Sequence, residues 1–154
     1  MQGGLSIAGA AWRTPIIQRL SGEKSHRTTV LIIDGDLGFV FWLGHLLDAE
    51  AYSALPARAV PDAALLVMQL DLIVDVLVIN LALAGADEFI AAMHRRKEGV
   101  KVIGIQKNPL TAMDIPGVNA IYHPSPNILD HMAKAEWLKC IEQVLSNSVQ
   151  STSN

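Results

Sequence analysis

The stretch that decides the fold is Val76–Asp87, with the sequence VLVINLALAGAD. It begins as a short apolar and mostly β-branched run, which is typical of a buried strand, and it ends in the polar Asn80 and a loop. An earlier apolar run, Val30–Ile33, is also followed by polar residues, Asp34–Asp36. In parallel sheets, functional sites lie beyond the carboxyl ends of the strands. The two polar tips therefore predict a site at one edge of a parallel sheet.

Strand and helix patterns alternate along the chain. The predicted strands are Thr29–Ile33, Ala54–Ala59, Val76–Ile79, Val100–Ile105 and Ala120–Tyr122. Apolar residues at helical spacing predict helices from Phe39 to about Tyr52, from Pro61 to about Leu70, from Asp87 to Lys97, and within Asn127–Asn147. The segment Asn108–Gly117 is rich in helix-breaking residues, so any helix there is short. This alternation predicts an α/β fold, a doubly wound parallel sheet with helices on both faces.

The composition fits one domain with an appendage at each end. The chain has 154 residues, of which 51% are hydrophobic and 18% are charged, so it can fill a core. We predict an N-terminal extension at 1–27, a domain at 28–147 and a polar tail at 148–154. The extension carries an apolar spacing compatible with a short amphipathic helix, from Trp12, Ile16, Ile17 and Leu20.

Charge and cysteine content exclude several classes of function. The net charge is −3, and because residues 1–27 carry +3 the remainder carries −6, which argues against nucleic-acid binding. Cys140 is the only cysteine, so an internal disulfide and a thiol-based zinc cluster are excluded. No apolar run has the length of a membrane span, and no signal-peptide pattern is present. We therefore predict a cytoplasmic protein that binds neither membranes nor nucleic acid.

Four segments match a known pattern in their order, spacing and hydrophobic blocks. They are Val30–Asp36, Val76–Asp87, Lys101–Gln106 and Gly117–Pro124. In these segments the chain resembles the receiver domain of bacterial two-component response regulators, over about Thr28–Leu145. The resemblance implies a flavodoxin-like (βα)5 fold with a five-stranded parallel sheet and a role in phosphorelay signal transduction. It also implies a phosphorylation pocket at the carboxyl edge of that sheet.

The metal-binding positions of that family are largely lost. An acidic pair after the first strand helps to hold Mg²⁺ in the family, and Asp34 and Gly35 stand there, with Asp36 one residue further on. Mg²⁺ prefers several oxygen ligands, usually with more than one carboxylate. Asp34, Asp36, the Asn80 amide and a backbone carbonyl near Ala82 would form only a weak set. We therefore predict no resident cofactor.

The positions that handle the phosphoryl group are also changed. Asn80 stands at the acceptor aspartate, and its amide nitrogen has no lone pair free for attack. Gln106 stands where the family has a hydroxyl residue, and His123, before Pro124, stands where it has a lysine. Lys107 lies at the same edge, but we assign it no role. The resemblance thus predicts a degenerate pseudo-receiver, which is not an enzyme and has no catalytic residues.

Several of these side chains have alternative roles. Asp34 could cap the first helix, and Gln106 could bond Asn80 across the pocket. His123 could supply the missing positive charge when it is protonated. Tyr122 lies near an aromatic residue that rotates in the family, and it could equally be a half-buried edge tyrosine.

Our leading hypothesis is a module that acts through protein–protein interaction. The family's output surface implies an interaction face with Ile121, Tyr122 and Trp137, which would meet a signalling kinase, an output protein or a second copy of the chain. One alternative is a phosphorelay receiver that uses Asp34, Asp36 or His123 as the acceptor. A small ligand-binding flavodoxin-like protein is less favoured, because no Gly-rich phosphate loop follows the first strand.

Overall fold

The structure, a computed structural model, describes residues 27–108, 115–123 and 131–152, with the side chains at 131–132 and 148–152 excepted. Five parallel strands form one sheet in the order β2-β1-β3-β4-β5. The strands are β1 (Thr29–Ile33), β2 (Ser53–Ala57), β3 (Val76–Asn80), β4 (Lys101–Ile105) and β5 (Ala120–Tyr122). This is the predicted α/β flavodoxin-like sheet, and the fold prediction is confirmed.

Helices cover both faces of this sheet. They are α1 (Leu37–Ala49), α2 (Val60–Leu70), α3 (Ala86–Arg96) and α4 (His131–Thr152). Pro61 lies in the first turn of α2, where a proline removes no helical hydrogen bond. The first turn of α3 is acidic and its last turn is basic, which suits the helix dipole.

Two apolar clusters lie on the opposite faces of the sheet. On one face, α1 and α4 pack on alternate strand residues such as Val30 and Ile32. On the other face, α2 and α3 pack on the residues between them, such as Leu31 and Ile33. All five residues of β1 are buried, because successive side chains point to opposite faces and both faces are covered. A continuous apolar run in the sequence is therefore the correct signature of this strand.

The loop after β3 is fixed by a close approach to β4. The side chain of Leu81 lies over Gly104, where an added Cβ would come within 2.7 Å of Leu81 Cδ1. Leu81 is buried, and its backbone N–H donates to the Ile105 carbonyl at 3.1 Å. Only glycine at position 104 leaves room for this packing. The contact sets the course of the chain directly beyond Asn80.

Several predicted boundaries differ from the structure, and the largest differences concern the last helix, Arg27 and β2. The helix α4 continues through Thr152, past the predicted end at Asn147 and into the predicted tail. Arg27 was assigned to the extension, yet its side chain donates to the Tyr52 carbonyl at 2.6 Å and so joins the domain. β2 is Ser53–Ala57 and not Ala54–Ala59, because Ala59 already forms the N-terminal boundary of α2. The stretch 1–26 and most of the breaker-rich segment, 109–114, lie outside the described residues.

Candidate functional site

The predicted site residues converge where the strand order reverses. The strand β1 has β2 on one side and β3 on the other, so the crossovers leave in opposite directions. Asp34 directly follows β1, and Asn80 ends β3. A crevice forms at such a reversal, and it is where α/β sheets bind ligands. The topology thus brings Asp34 and Asn80 into contact although 46 positions separate them in sequence.

Asp34 is the centre of this pocket and is only 1% exposed. Its Oδ1 accepts three hydrogen bonds, each 3.2 Å long, from the Asp36 backbone N–H, the Asn80 Nδ2 and the Lys107 Nζ. Its Oδ2 is buried and has no hydrogen-bond partner among the described residues. One carboxylate oxygen is therefore crowded with donors while the other has none.

Asn80 has both ends of its amide engaged. Its Nδ2 donates to Asp34 Oδ1, and its Oδ1 accepts from the Ala82 backbone N–H at 2.9 Å. Only this orientation of the amide works, because the carboxylate accepts and the backbone N–H donates. Asn80 therefore links β1 to the loop after β3. The predicted contact between Gln106 and Asn80 stays a prediction.

The positive charge of the pocket comes from Lys107 and not from His123. The Lys107 ammonium lies 3.2 Å from Asp34 Oδ1, and 47% of the lysine side chain is exposed. His123 is exposed, and its Nδ1 hydrogen-bonds the backbone carbonyl of Gln106 at 3.0 Å. His123 was one candidate for this charge, but the described contacts place Lys107 beside Asp34. The sequence signal was available, because Lys107 follows β4 by two residues at the same edge of the sheet.

Asp36 caps the helix α1 and does not complete an acidic pair. Its Oδ1 accepts from the Phe39 backbone N–H at 3.2 Å, and Asp36 is the N-cap of α1. The capping role considered for Asp34 therefore belongs to Asp36. Gly35, the second position of the acidic pair that the resemblance implies, is exposed, and a Cβ added there would meet nothing within 4 Å. The backbone thus has room for an acidic side chain that the sequence does not provide.

Comparison with known proteins gives matches among solved structures only. No family model matches the chain, and no curated protein sequence matches it significantly. A CheY-like response regulator receiver domain protein from Methanospirillum hungatei JF-1 superposes with a TM-score of 0.66 at 16% identity, over 82% of this chain and 99% of that chain. The signal receiver domain of an HD domain-containing protein from Pseudomonas fluorescens Pf-5 gives 0.65 at 17% identity, over 84% of this chain and 95% of that chain. This chain has the receiver fold.

A third receiver-type structure contains a metal. It is a response regulator protein from Thermotoga maritima in complex with Mg²⁺-BeF, with a TM-score of 0.60 and 16% identity, over 76% of this chain and 98% of that chain. The pocket described above does not fit Mg²⁺, which prefers several free oxygen ligands. Asp34 Oδ1 and the Asn80 oxygen already accept hydrogen bonds, Asp36 caps α1, and the Lys107 ammonium lies beside the carboxylate. Among the described residues, no group of three or more His, Cys, Asp or Glu side chains could hold a metal ion.

Two of the three residues predicted for the interaction face of this receiver fold are buried. Trp137 is 1% exposed and Tyr122 is 9% exposed, and their ring centroids lie 4.0 Å apart. Trp137 also packs on Phe39 of α1, at 5.7 Å. Only Ile121, at 41% exposure, presents its side chain to solvent, because neighbouring residues in a strand point to opposite faces. Trp137 and Tyr122 are therefore core residues, and the prediction that they lie on an exposed interaction face is wrong.

Other large apolar side chains are exposed on and near α2, which packs on the face of the sheet opposite to Trp137. Leu65, Met68 and Leu70 of α2 are more than half exposed, and Ile73 beyond the helix is 61% exposed. Ile121 lies on β5, the strand at one edge of the sheet.

In the part of the chain that the structure describes, no helix is long and apolar enough to cross a membrane.

Tyr122 carries a buried hydroxyl without a hydrogen-bond partner among the described residues. Such a group loses its hydration on folding and regains nothing for it, at a cost of about 1–3 kcal/mol. Replacing Tyr122 with phenylalanine is therefore expected to raise the free energy of unfolding by about 1 kcal/mol. Urea denaturation at neutral pH, with Tyr52→Phe as the control, measures this change. A loss of stability in Tyr122→Phe would contradict it.

The same variant should alter stability at alkaline pH. Burial raises the pKa of the Tyr122 phenol above its ordinary value, and the charges of Glu136 and the Cys140 thiolate raise it further. The folded state thus holds this proton more tightly than the unfolded state. The contribution of this group to stability is therefore fully present below about pH 10, and it is lost as the pH rises through the folded pKa. Tyr122→Phe should lose less stability than the wild type above about pH 10.

Proposed function

We propose that this chain is a degenerate receiver module that acts through protein–protein interaction and does not take part in phosphoryl transfer. The observation that carries this proposal is Asn80 at the tip of β3, with both polar ends of its amide bound to the protein itself. An amide offers no carboxylate oxygen to form an acyl phosphate. As part of the same proposal, the module is not an enzyme and acts in the cytoplasm.

The surroundings of Asn80 support this reading. A transferring phosphoryl group needs positive charge on its equatorial oxygens, usually from a metal ion and a cationic side chain. Here the one ammonium group that contacts Asp34 among the described residues is paired with that buried carboxylate. Its charge is therefore already neutralised by the protein.

The alternative acceptors are poorly placed for attack. Asp34 is 1% exposed, and its solvent-shielded carboxylate is hydrogen-bonded through Oδ1. One carboxylate oxygen of Asp36 is committed to the cap of α1. His123 is exposed, but its Nδ1 hydrogen-bonds a backbone carbonyl, and the described contacts place no cation beside it. None of the three combines exposure, a free nucleophilic atom and charge stabilisation.

The absence of phosphoryl transfer can be tested by intact mass. Incubating the protein with acetyl phosphate and Mg²⁺ is expected to give no increase of about 80 Da, the mass of one phosphoryl group. An intact receiver domain treated in parallel controls for the reagent. A mass increase that disappears in Asp34→Asn or His123→Ala would overturn the proposal and identify the acceptor.

The interaction role is tested at the exposed residue of β5. Replacing Ile121 with glutamate is expected to weaken capture of a partner from the native host by about 30-fold, if Ile121 is a central contact. Met68→Glu is the matched control, because it also charges an exposed apolar residue but lies on α2. Quantitative pull-down followed by mass spectrometry measures the difference, and the partner sought is a kinase, an output protein or a second copy of the chain. Equal capture by both variants and the wild type would contradict the role of this face.

A further inference from the structure

The carboxylate of Asp34 is an ion buried almost completely, and such an ion needs compensation. Burying an unpaired carboxylate is very unfavourable, so buried charges in proteins are paired or coordinate metals. Asp34 is 1% exposed, and the cation that contacts it is the ammonium of Lys107 at 3.2 Å. Its Oδ2 remains buried without a hydrogen-bond partner among the described residues. The carboxylate is thus neutralised from one side only.

We propose that Lys107 is a built-in cation of this pocket, which neutralises Asp34 in place of a divalent metal ion and keeps such ions out. This inference deepens the proposed function, and it rests on the proposal that the pocket does not carry out phosphoryl transfer. It assigns Lys107 a role through Asp34, whose charge the lysine ammonium neutralises. It also explains why the oxygen atoms of the pocket do not form a suitable ligand set for Mg²⁺.

The backbone places Lys107 at the mouth of the pocket. β4 lies between β3 and β5, and its last residue, Ile105, pairs with Asn80. On one side, the Leu81 N–H donates to the Ile105 carbonyl at 3.1 Å, and on the other the Gln106 N–H donates to the Tyr122 carbonyl at 3.0 Å. The chain is therefore held on both sides up to the residue before Lys107. A flexible lysine side chain then spans the short remaining distance to Asp34.

Exclusion of a divalent ion follows from charge and from ligand number. An ion bound at Asp34 would lie close to the Lys107 ammonium, and the two positive charges would repel each other. To bind Asp34 Oδ1, the ion would have to displace hydrogen-bond donors. Oδ2 is then the one oxygen of this carboxylate that is left as a ligand for the ion. Removing the ammonium lifts the repulsion and leaves a buried carboxylate that needs a cation. A variant without this charge should therefore gain affinity for divalent ions.

The test compares Mn²⁺ binding by the wild type, Lys107→Met and Lys107→Arg. Isothermal titration with MnCl₂ is expected to show at least about tenfold tighter binding to Lys107→Met than to the wild type, and Mn²⁺ should raise its melting temperature. Lys107→Arg keeps the positive charge and should resemble the wild type. Lys107→Gln, whose amide can still donate to Asp34, serves if Lys107→Met does not fold, and it should also gain Mn²⁺ affinity.

The gained site is assigned by a second substitution and by a measurement on the wild type. Lys107→Met combined with Asp34→Asn should lose the gained binding, which places it at Asp34. In the wild type, Mn²⁺ should not broaden the NMR signal of the Asn80 side-chain amide, which donates to Asp34. Wild-type binding as tight as that of Lys107→Met, or no gain in either neutral variant, would overturn the inference. Those results would leave the proposed function standing. The intact-mass test of phosphoryl transfer is a separate measurement, and its outcome does not depend on Mn²⁺ binding.

Discussion

Replacing Trp137 with alanine is expected to lower the free energy of unfolding by about 4 kcal/mol, within the range for removing a buried tryptophan or phenylalanine side chain. Trp137 is 1% exposed and contacts the rings of Tyr122 and Phe39, so its loss leaves a cavity between α4, β5 and α1. Aromatic pairs of this kind add to the stability that area burial gives. The effect should be close to the whole stability of a marginal domain.

Urea denaturation followed by circular dichroism measures this loss. Ile121→Ala is the matched control, because it truncates an apolar residue of β5 that is 41% exposed, and it should change stability by less than about 1 kcal/mol. Similar stability of the two variants would show that Trp137 is not a core residue. The result also bears on partner binding, since a Trp137 variant that fails to capture a partner could do so only because it unfolds.

Replacing Asn80 with aspartate is expected to destabilise the protein by about 2 kcal/mol at neutral pH. The substitution removes the Nδ2 donor to Asp34 and places a second carboxylate beside a buried one. Like charges at this distance repel, and the single ammonium of Lys107 cannot neutralise both carboxylates. An aspartate at this position should therefore harm the fold in the present surroundings.

The pH dependence separates charge repulsion from the loss of hydrogen bonds. The penalty in Asn80→Asp comes from a second negative charge beside Asp34, so it should shrink in acid, where the added aspartate loses its charge. Asn80→Leu also loses the hydrogen bonds but adds no charge, so its penalty should change less with pH than that of Asn80→Asp. Denaturation at several pH values measures both variants. A pH-independent penalty in Asn80→Asp would show that repulsion is not its cause.

The receiver fold was predictable because its signals are local and periodic. Buried strands such as Val30–Ile33 are continuous apolar runs, since both faces of the sheet are covered. The stripe of Trp137, Ile141 and Val144 marked the buried face of the last helix. That same stripe was nevertheless misassigned in part, because periodicity shows that a face is apolar but not whether the sheet or a partner covers it. The structure shows that Trp137 packs against the sheet.

The sequence by itself determined the order of strands and helices, the residues at the strand tips and the absence of an aspartate at position 80. These are properties of residue identity and of short-range spacing. Only the tertiary structure decided which cation neutralises Asp34, because Lys107 lies 73 positions away and reaches it through a long flexible side chain. A resemblance based on position selected His123, whose ring instead bonds the Gln106 backbone. The physical reason is that a charge is neutralised by the nearest group in space, and the pairing of β1, β3 and β4 sets that distance.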